Sequence, residues 1–192
     1  MMKKLKLAVF ISGRGSNMRS IVQACAEADF PAEVSVVVSN NPDAAGLDFA
    51  KENGLACVVV DHKSFHGKAA FENAIYDALQ DYDIDLICLA GFMRILSADF
   101  IARWPANSII NIHPSLLPDY KGLDTHQRAI DDGRDQGGCS VHYVTPEVDG
   151  GDVILQRVVP ILPDDDADSL AERVLPEEHI AYPEAIRLIA AS

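Results

Sequence analysis

The chain reads as an α/β domain: a mostly parallel, twisted sheet with helices on both faces and an antiparallel strand toward the C-terminal part. Three observations predict this. Short β-branched apolar runs alternate with longer stretches of helical spacing, the order that builds βαβ units. Those runs show little polar alternation, as strands buried on both faces do. Polar clusters fall just past the runs, where ligands sit in open parallel sheets.

Leu5–Ile11, Glu33–Ser39, Leu55–Val60 and Asp85–Ala90 are the first four predicted strands. Ser16–Ala28, Pro42–Asn53 and Gly67–Gln80 supply the intervening helices, the second closed by Asn53-Gly54, a C-cap pairing. Ser97 is an N-cap for a short following helix. Ser108–Ile112 is the fifth strand, and a helix around Thr125–Asp132 ends at Gly133. Ser140–Val144 and Val153–Val159 read as two more strands joined by a Gly-rich turn. A last helical region runs from about Asp168 to Ile189, with interruptions expected at Pro176 and Pro183, because proline removes a helix hydrogen bond. Asp164-Asp165-Asp166 reads as a solvated loop ahead of that helix, where negative charge is favourable.

Residues 1–192 are expected to form a single domain, since 192 residues lie within the size of one core. A formal charge of −13 would repel a phosphate backbone, which argues against nucleic acid as a partner. Cys25, Cys57, Cys88 and Cys139 are scattered without C-x-x-C spacing and read as free thiols of a reducing compartment. No apolar run is long enough for a membrane span, and the run after Lys3, Lys4 and Lys6 is too short for a signal peptide. A cytoplasmic protein without membrane association is expected.

The first strand runs into Ser12-Gly13-Arg14-Gly15-Ser16-Asn17 and then a helix. Glycine lets backbone approach a ligand closely, and free N–H groups at a helix start suit a phosphate. A dinucleotide fingerprint would need glycine where Met18 stands, and a Walker A loop needs Gly-Lys-Ser/Thr. One phosphate held by Gly15, Ser16 and Asn17 fits; a tight turn with an N-cap is the plainer alternative. Past the fourth strand, Phe92-Met93-Arg94-Ile95-Leu96 is compatible with core packing or with a wall for a flat ring.

The densest chemistry lies in Asn111-Ile112-His113-Pro114. Strand side chains alternate, so Asn111 and His113 leave the same face. An amide donor and an imidazole are what a carbonyl requires when an amine attacks it. Asp149, 36 residues after the histidine, could orient and charge the ring. His126 reads as a structural histidine, and His62, His66, His142 and His179 show no metal-ligand pattern, so no metal is expected.

Together, Ile11–Asn17, Leu89–Ser97, Asn111–Pro118, Thr125–Ala129, Ser140–Thr145 and Asp149–Gln156 resemble the phosphoribosylglycinamide formyltransferases, folate-dependent enzymes of purine biosynthesis. The likeness runs from Leu7 to about Pro183 and implies a Rossmann-like domain. It implies formyl transfer from the co-substrate 10-formyltetrahydrofolate to the amine of glycinamide ribonucleotide. By matching motif, Asn111, His113 and Asp149 would be catalytic, and Gly15, Ser16, Asn17 and Glu178 would hold the ribonucleotide. Lys68, Met93, Arg94, Ile95, Leu96 and Asn111 would meet the folate, with segment 139–151 closing over its pterin ring. A monomer or weak homodimer is expected. Hydrolysis of the formyl donor and a non-catalytic phosphate-binding module are the competing readings; formyl transfer to methionyl-tRNA fits the acidic surface poorly. Departures from the family pattern stand at Arg14, Asp124, Leu175-Pro176 and the short C-terminus.

Overall fold

A computed structural model describes residues 3–192. Its seven strands are β1 (Leu5–Ile11), β2 (Ala32–Ser39), β3 (Cys57–Val59), β4 (Leu86–Leu89), β5 (Ile109–His113), β6 (Gln136–Tyr143) and β7 (Val153–Pro160). They form one sheet in the order β3-β2-β1-β4-β5-β6-β7. β1 to β5 run parallel, and β6 is antiparallel to both its neighbours. The helices are α1 (Ser16–Cys25), α2 (Gly46–Glu52), α3 (Lys68–Leu79), α4 (Ala98–Ile101), α5 (Thr125–Asp131) and α6 (Ala167–Ala190). None of the described helices is long and apolar enough to cross a membrane.

Strand alternation divides the core in two. Leu7, Val9 and Ile11 of β1 join Met18 and Ile21 of α1, Leu47 of α2 and Tyr182, Ala185 and Ile186 of α6. Ala8 and Phe10 point the other way, to Phe71, Ile75 and Leu79 of α3 and Phe100 of α4. Both faces of β1 are therefore dry, which is why its sequence carries no polar alternation.

Several element ends shift by one to three residues, α1 closing at Cys25 rather than Ala28 and β3 narrowing to Cys57–Val59, and three elements differ further. α2 begins at Gly46 rather than Pro42. β6 begins at Gln136 rather than Ser140, because the Gly137-Gly138 pair hides the strand signal. An added Cβ at Gly138 would lie 2.0 Å from the Arg157 carbonyl oxygen, so the close approach of β7 requires glycine. α6 runs unbroken through Pro176 and Pro183. A capping box between Asp166 and Ser169 starts it, so the acidic run includes the cap as well as loop. Asp165 adds two bonds with Arg173. Fully buried Tyr182 carries its hydroxyl to the carbonyls of Leu89 and Ile110 at 2.9 and 3.2 Å. Tertiary burial of Leu170, Val174, Ala181, Tyr182, Ala185 and Ile186 thus overrides the local penalty of two prolines.

Exposed Pro176 is the cleaner test of that penalty. Pro176→Ala is expected to restore a helix hydrogen bond and stabilise the protein by about 1–2 kcal/mol, after allowing for the freer unfolded chain. Thermal unfolding should show a Tm rise of about 3–6 °C; an unchanged or lower Tm would mean the proline is adapted to its place.

Candidate active site

β5 ends the parallel part of the sheet, and its register with β6 builds the site. Asn111 pairs with His142 and His113 with Ser140, so side chains from both strands gather on one face. Buried Ser140 donates to the Ser115 carbonyl at 2.7 Å and accepts from the Leu117 N–H at 3.0 Å. Gln156 reaches the same hydroxyl at 2.8 Å. These bonds hold the segment that leaves His113.

The His113 ring is 5% exposed. Its Nε2 donates to the Tyr120 carbonyl at 2.9 Å, and its Nδ1 lies 3.4 Å from Asp149 Oδ2. Asp149 sits in the loop after β6 with φ 50°, a left-handed conformation that Asp tolerates better than most residues. Its Oδ2 accepts from the Gly122 N–H at 2.9 Å, and its Oδ1 lies 3.5 Å from His142 Nε2. Burial pushes the Asp149 carboxyl up, but His142, the Gly122 N–H and the charge of His113 together outweigh it. The net position is below the usual carboxylate range, so Asp149 is ionised at neutral pH.

His142, 2% exposed, donates from Nδ1 to the Tyr143 carbonyl at 2.9 Å. Its other nitrogen is 3.3 Å from Asn111 Nδ2. His142 therefore touches both the amide and the carboxylate. It is the residue that the sequence reading missed. Period-two alternation puts Ser140 and His142 on one face, but the β5–β6 register that sets them opposite His113 and Asn111 is not a local signal.

Asn111, His113, His142 and Asp149 open into a cleft of about 480 Å³, within the range of small-molecule sites. Phe92, Met93, Ile95, Leu123, Val144 and Val148 give it apolar walls. Arg94 and Leu96 also line it. Met93 is 71% and Ile95 64% exposed, whereas Leu96 is core. The core-packing alternative thus holds for Leu96 and, in part, for half-buried Phe92, which packs against Phe10. Residues 139–143 belong to β6, so the loop that borders the cleft starts at Val144 rather than at Cys139. Lys68 is exposed at the start of α3 and is not part of the cleft wall.

Beside the cleft, Gly15 takes φ 68° and ends the turn before α1. A Cβ there would lie 3.2 Å from Gly46 Cα, so the turn packs backbone to backbone. Asn17 is buried and donates from Nδ2 to Glu178 Oε2 at 2.8 Å. Its Oδ1 is buried with no partner among the described residues. Burial raises the Glu178 carboxyl, and the Asn17 bond only partly opposes this. Glu178 stands on continuous helix despite Leu175-Pro176. Arg14 is exposed, and Asp124 adopts φ 55° as the N-cap residue of α5. Half-buried His126 on α5 is shifted down by burial and then by the charge of His113. Its ring borders a separate small cavity of about 120 Å³ behind Pro114 and Tyr120.

Residues 5–186 match the family model described as Formyl transferase. The chain is 45% identical over 182 residues to phosphoribosylglycinamide formyltransferase of Haemophilus influenzae, covering 95% of this chain and 85% of that one. It is 43% identical over 188 residues to the Bos taurus protein named trifunctional purine biosynthetic protein adenosine-3. There it covers 98% of this chain but only 18% of the relative, so the chain spans under a fifth of that longer protein. The crystal structure of phosphoribosylglycinamide formyltransferase from Brucella melitensis superposes with a TM-score of 0.94 at 47% identity, covering 99% of this chain and 97% of that one. The family model over nearly the whole chain and the near full-length likeness agree: the chain belongs to the formyl transferase family.

Proposed function

We propose that this protein transfers a formyl group from 10-formyltetrahydrofolate to the amine of glycinamide ribonucleotide. One observation carries the reading: an ionised carboxylate touches an imidazole at the head of a cleft whose rim also bears a fixed amide. The folate supplies the formyl group as co-substrate. The apolar walls around Phe92, Met93 and Ile95 suit a flat pterin ring. The Gly15–Asn17 turn and Glu178 suit a ribose phosphate, because α1 starts there and two polar side chains converge.

The amine nitrogen attacks the formyl carbon, and Asn111 donates to the formyl oxygen as it gains charge. The bond from that carbon to the folate nitrogen then breaks. His113 relays the proton lost by the amine to the departing nitrogen. Asp149, 3.4 Å from the ring's Nδ1, holds the ring in register. Water in place of the amine would give hydrolysis by the same groups, so the decisive experiment adds the formyl donor with and without the ribonucleotide. Product that depends on the ribonucleotide is expected. Loss of formyl without it would establish a hydrolase, and no turnover in either case would leave a binding module.

Glu178 offers a stability test of the same assignment. A carboxyl whose folded value is raised favours the folded state while protonated, and this contribution fades as pH rises through that value. Glu178→Gln removes the buried charge and keeps an oxygen for Asn17. The variant is expected to gain Tm at neutral pH but not below pH about 4, near the free carboxyl value. Its ribonucleotide KM should rise about tenfold or more, as when a charged hydrogen-bond partner is lost. An unchanged KM would remove Glu178 from the site.

A further inference from the structure

Ser12 lies between the two halves of the proposed site. It is the first residue after β1, directly ahead of the Gly13–Asn17 turn. Its Oγ accepts from the Met93 N–H at 2.8 Å and donates to Asn40 Oδ1. A hydroxyl has one proton to give. With that proton directed at Asn40, a lone pair is turned toward Met93. Asn40 is itself held: it is 3% exposed, and its carbonyl accepts from the His62 N–H at 3.3 Å. The His62 ring nitrogen Nδ1 lies 2.9 Å from the same carbonyl and 3.2 Å from Asn40 Nδ2. Asn41 Nδ2 donates to the Ser12 carbonyl at 3.3 Å. The serine is therefore anchored from the β2 side and free to anchor something else.

What it anchors is otherwise loosely held. Residues 91–96 belong to neither helix nor strand. Phe92 packs edge-on against Phe10 with ring centroids 5.2 Å apart, and Leu96 is buried. Between them Met93, Arg94 and Ile95 project into solvent and cleft, so side-chain packing does not set their backbone. The Met93 N–H bond to Ser12 spans that gap. It also lies where β1 is flanked by β2 and β4, at the strand ends where such sheets bind ligands.

We infer that Ser12 is a positioning residue, its hydroxyl holding the folate-side wall at Met93 in fixed relation to the sugar-phosphate turn at Gly13–Asn17. This rests on the formyl-transfer reading for its consequence, though not for its geometry. Two reactants bound on separate loops meet productively only if the loops keep their spacing, and a displacement of about 1 Å can lower rate about 10²-fold. Ser12 supplies that spacing without touching either reacting atom.

Ser12→Ala is compared with Ser12→Thr, which keeps the hydroxyl. In the alanine variant the Met93 amide should exchange with deuterated water about tenfold faster, read by NMR on the protein without substrates. KM for 10-formyltetrahydrofolate should rise about 3–10-fold, the effect of one lost hydrogen bond. Ribonucleotide affinity, measured alone by calorimetry, should change less than twofold, and Ser12→Thr should restore both exchange and KM. Unchanged Met93 exchange in Ser12→Ala overturns the tether. Faster exchange with an unchanged donor KM overturns its role in positioning. If the parent protein forms no ribonucleotide-dependent product, the formyl-transfer reading fails separately, while the exchange measurement still decides whether Ser12 holds the loop.

Discussion

Replacing His113 with alanine is expected to lower turnover by about 10²–10⁴-fold, the range for a positioned acid–base group, in a protein that remains folded. The imidazole meets a carbonyl at 2.9 Å (Tyr120) and a carboxylate at 3.4 Å (Asp149). Its removal leaves Asp149 with the Gly122 N–H and the nearby His142 ring, so the buried charge is not stranded. That is why the loss should appear in turnover far more than in Tm. Added imidazole should recover part of the lost rate in His113→Ala, since the vacated space lies against the cleft. Asp149→Asn is the companion variant: asparagine also accepts φ near 50°, so the backbone survives while the charge is removed. Steady-state kinetics with both substrates, alongside circular dichroism, checks the set. Turnover of His113→Ala within tenfold of the parent would reject the proton-relay role.

Asn111→Ala is expected to reduce kcat by about 10²–10³-fold, the usual loss for one oxyanion donor. KM should change little, because the donor's contribution grows only as the formyl oxygen gains charge. The amide is half-buried within β5, and its Nδ2 lies 3.3 Å from His142 Nε2. The same His142 nitrogen lies 3.5 Å from Asp149 Oδ1, so the ring holds the amide at the head of the cleft. The amide keeps hydrogens to offer an acceptor in the cleft. Asn111→Asp should be as damaging as alanine, since it replaces the donor with an acceptor beside the ionised Asp149. A variant that kept kcat but raised KM would place Asn111 in ground-state binding rather than in the chemical step.

The difference between local and distant information explains which parts of this molecule could be read early. β1 was legible to the residue, from Leu5 to Ile11, because an unbroken apolar run bounded by Ser12-Gly13 admits few alternatives. α3 and α5 were legible within a residue at each end from helical spacing bounded by Gly67 and Gly133. β6 was not, since Gly137 and Gly138 carry no pattern and are required by a neighbour that lies far off in the chain. The proline breaks expected in α6 did not occur, because Tyr182 and its buried neighbours hold that helix against β4 and β5.

The same division runs through the site. The sequence by itself determined the fold class, the parallel run of the early strands and the shared face of Asn111 and His113, since period-two alternation is a property of short segments; Asp149 was assigned beside them only as an implication of the family resemblance. Only the tertiary structure decided that His142 stands between Asn111 and Asp149, that Asn17 pairs with Glu178, that Lys68 stays outside the cleft wall, and that Ser12 reaches Met93. Each of those facts depends on strand register or on a crossover that brings together residues far apart in the chain, and no local pattern encodes such a distance.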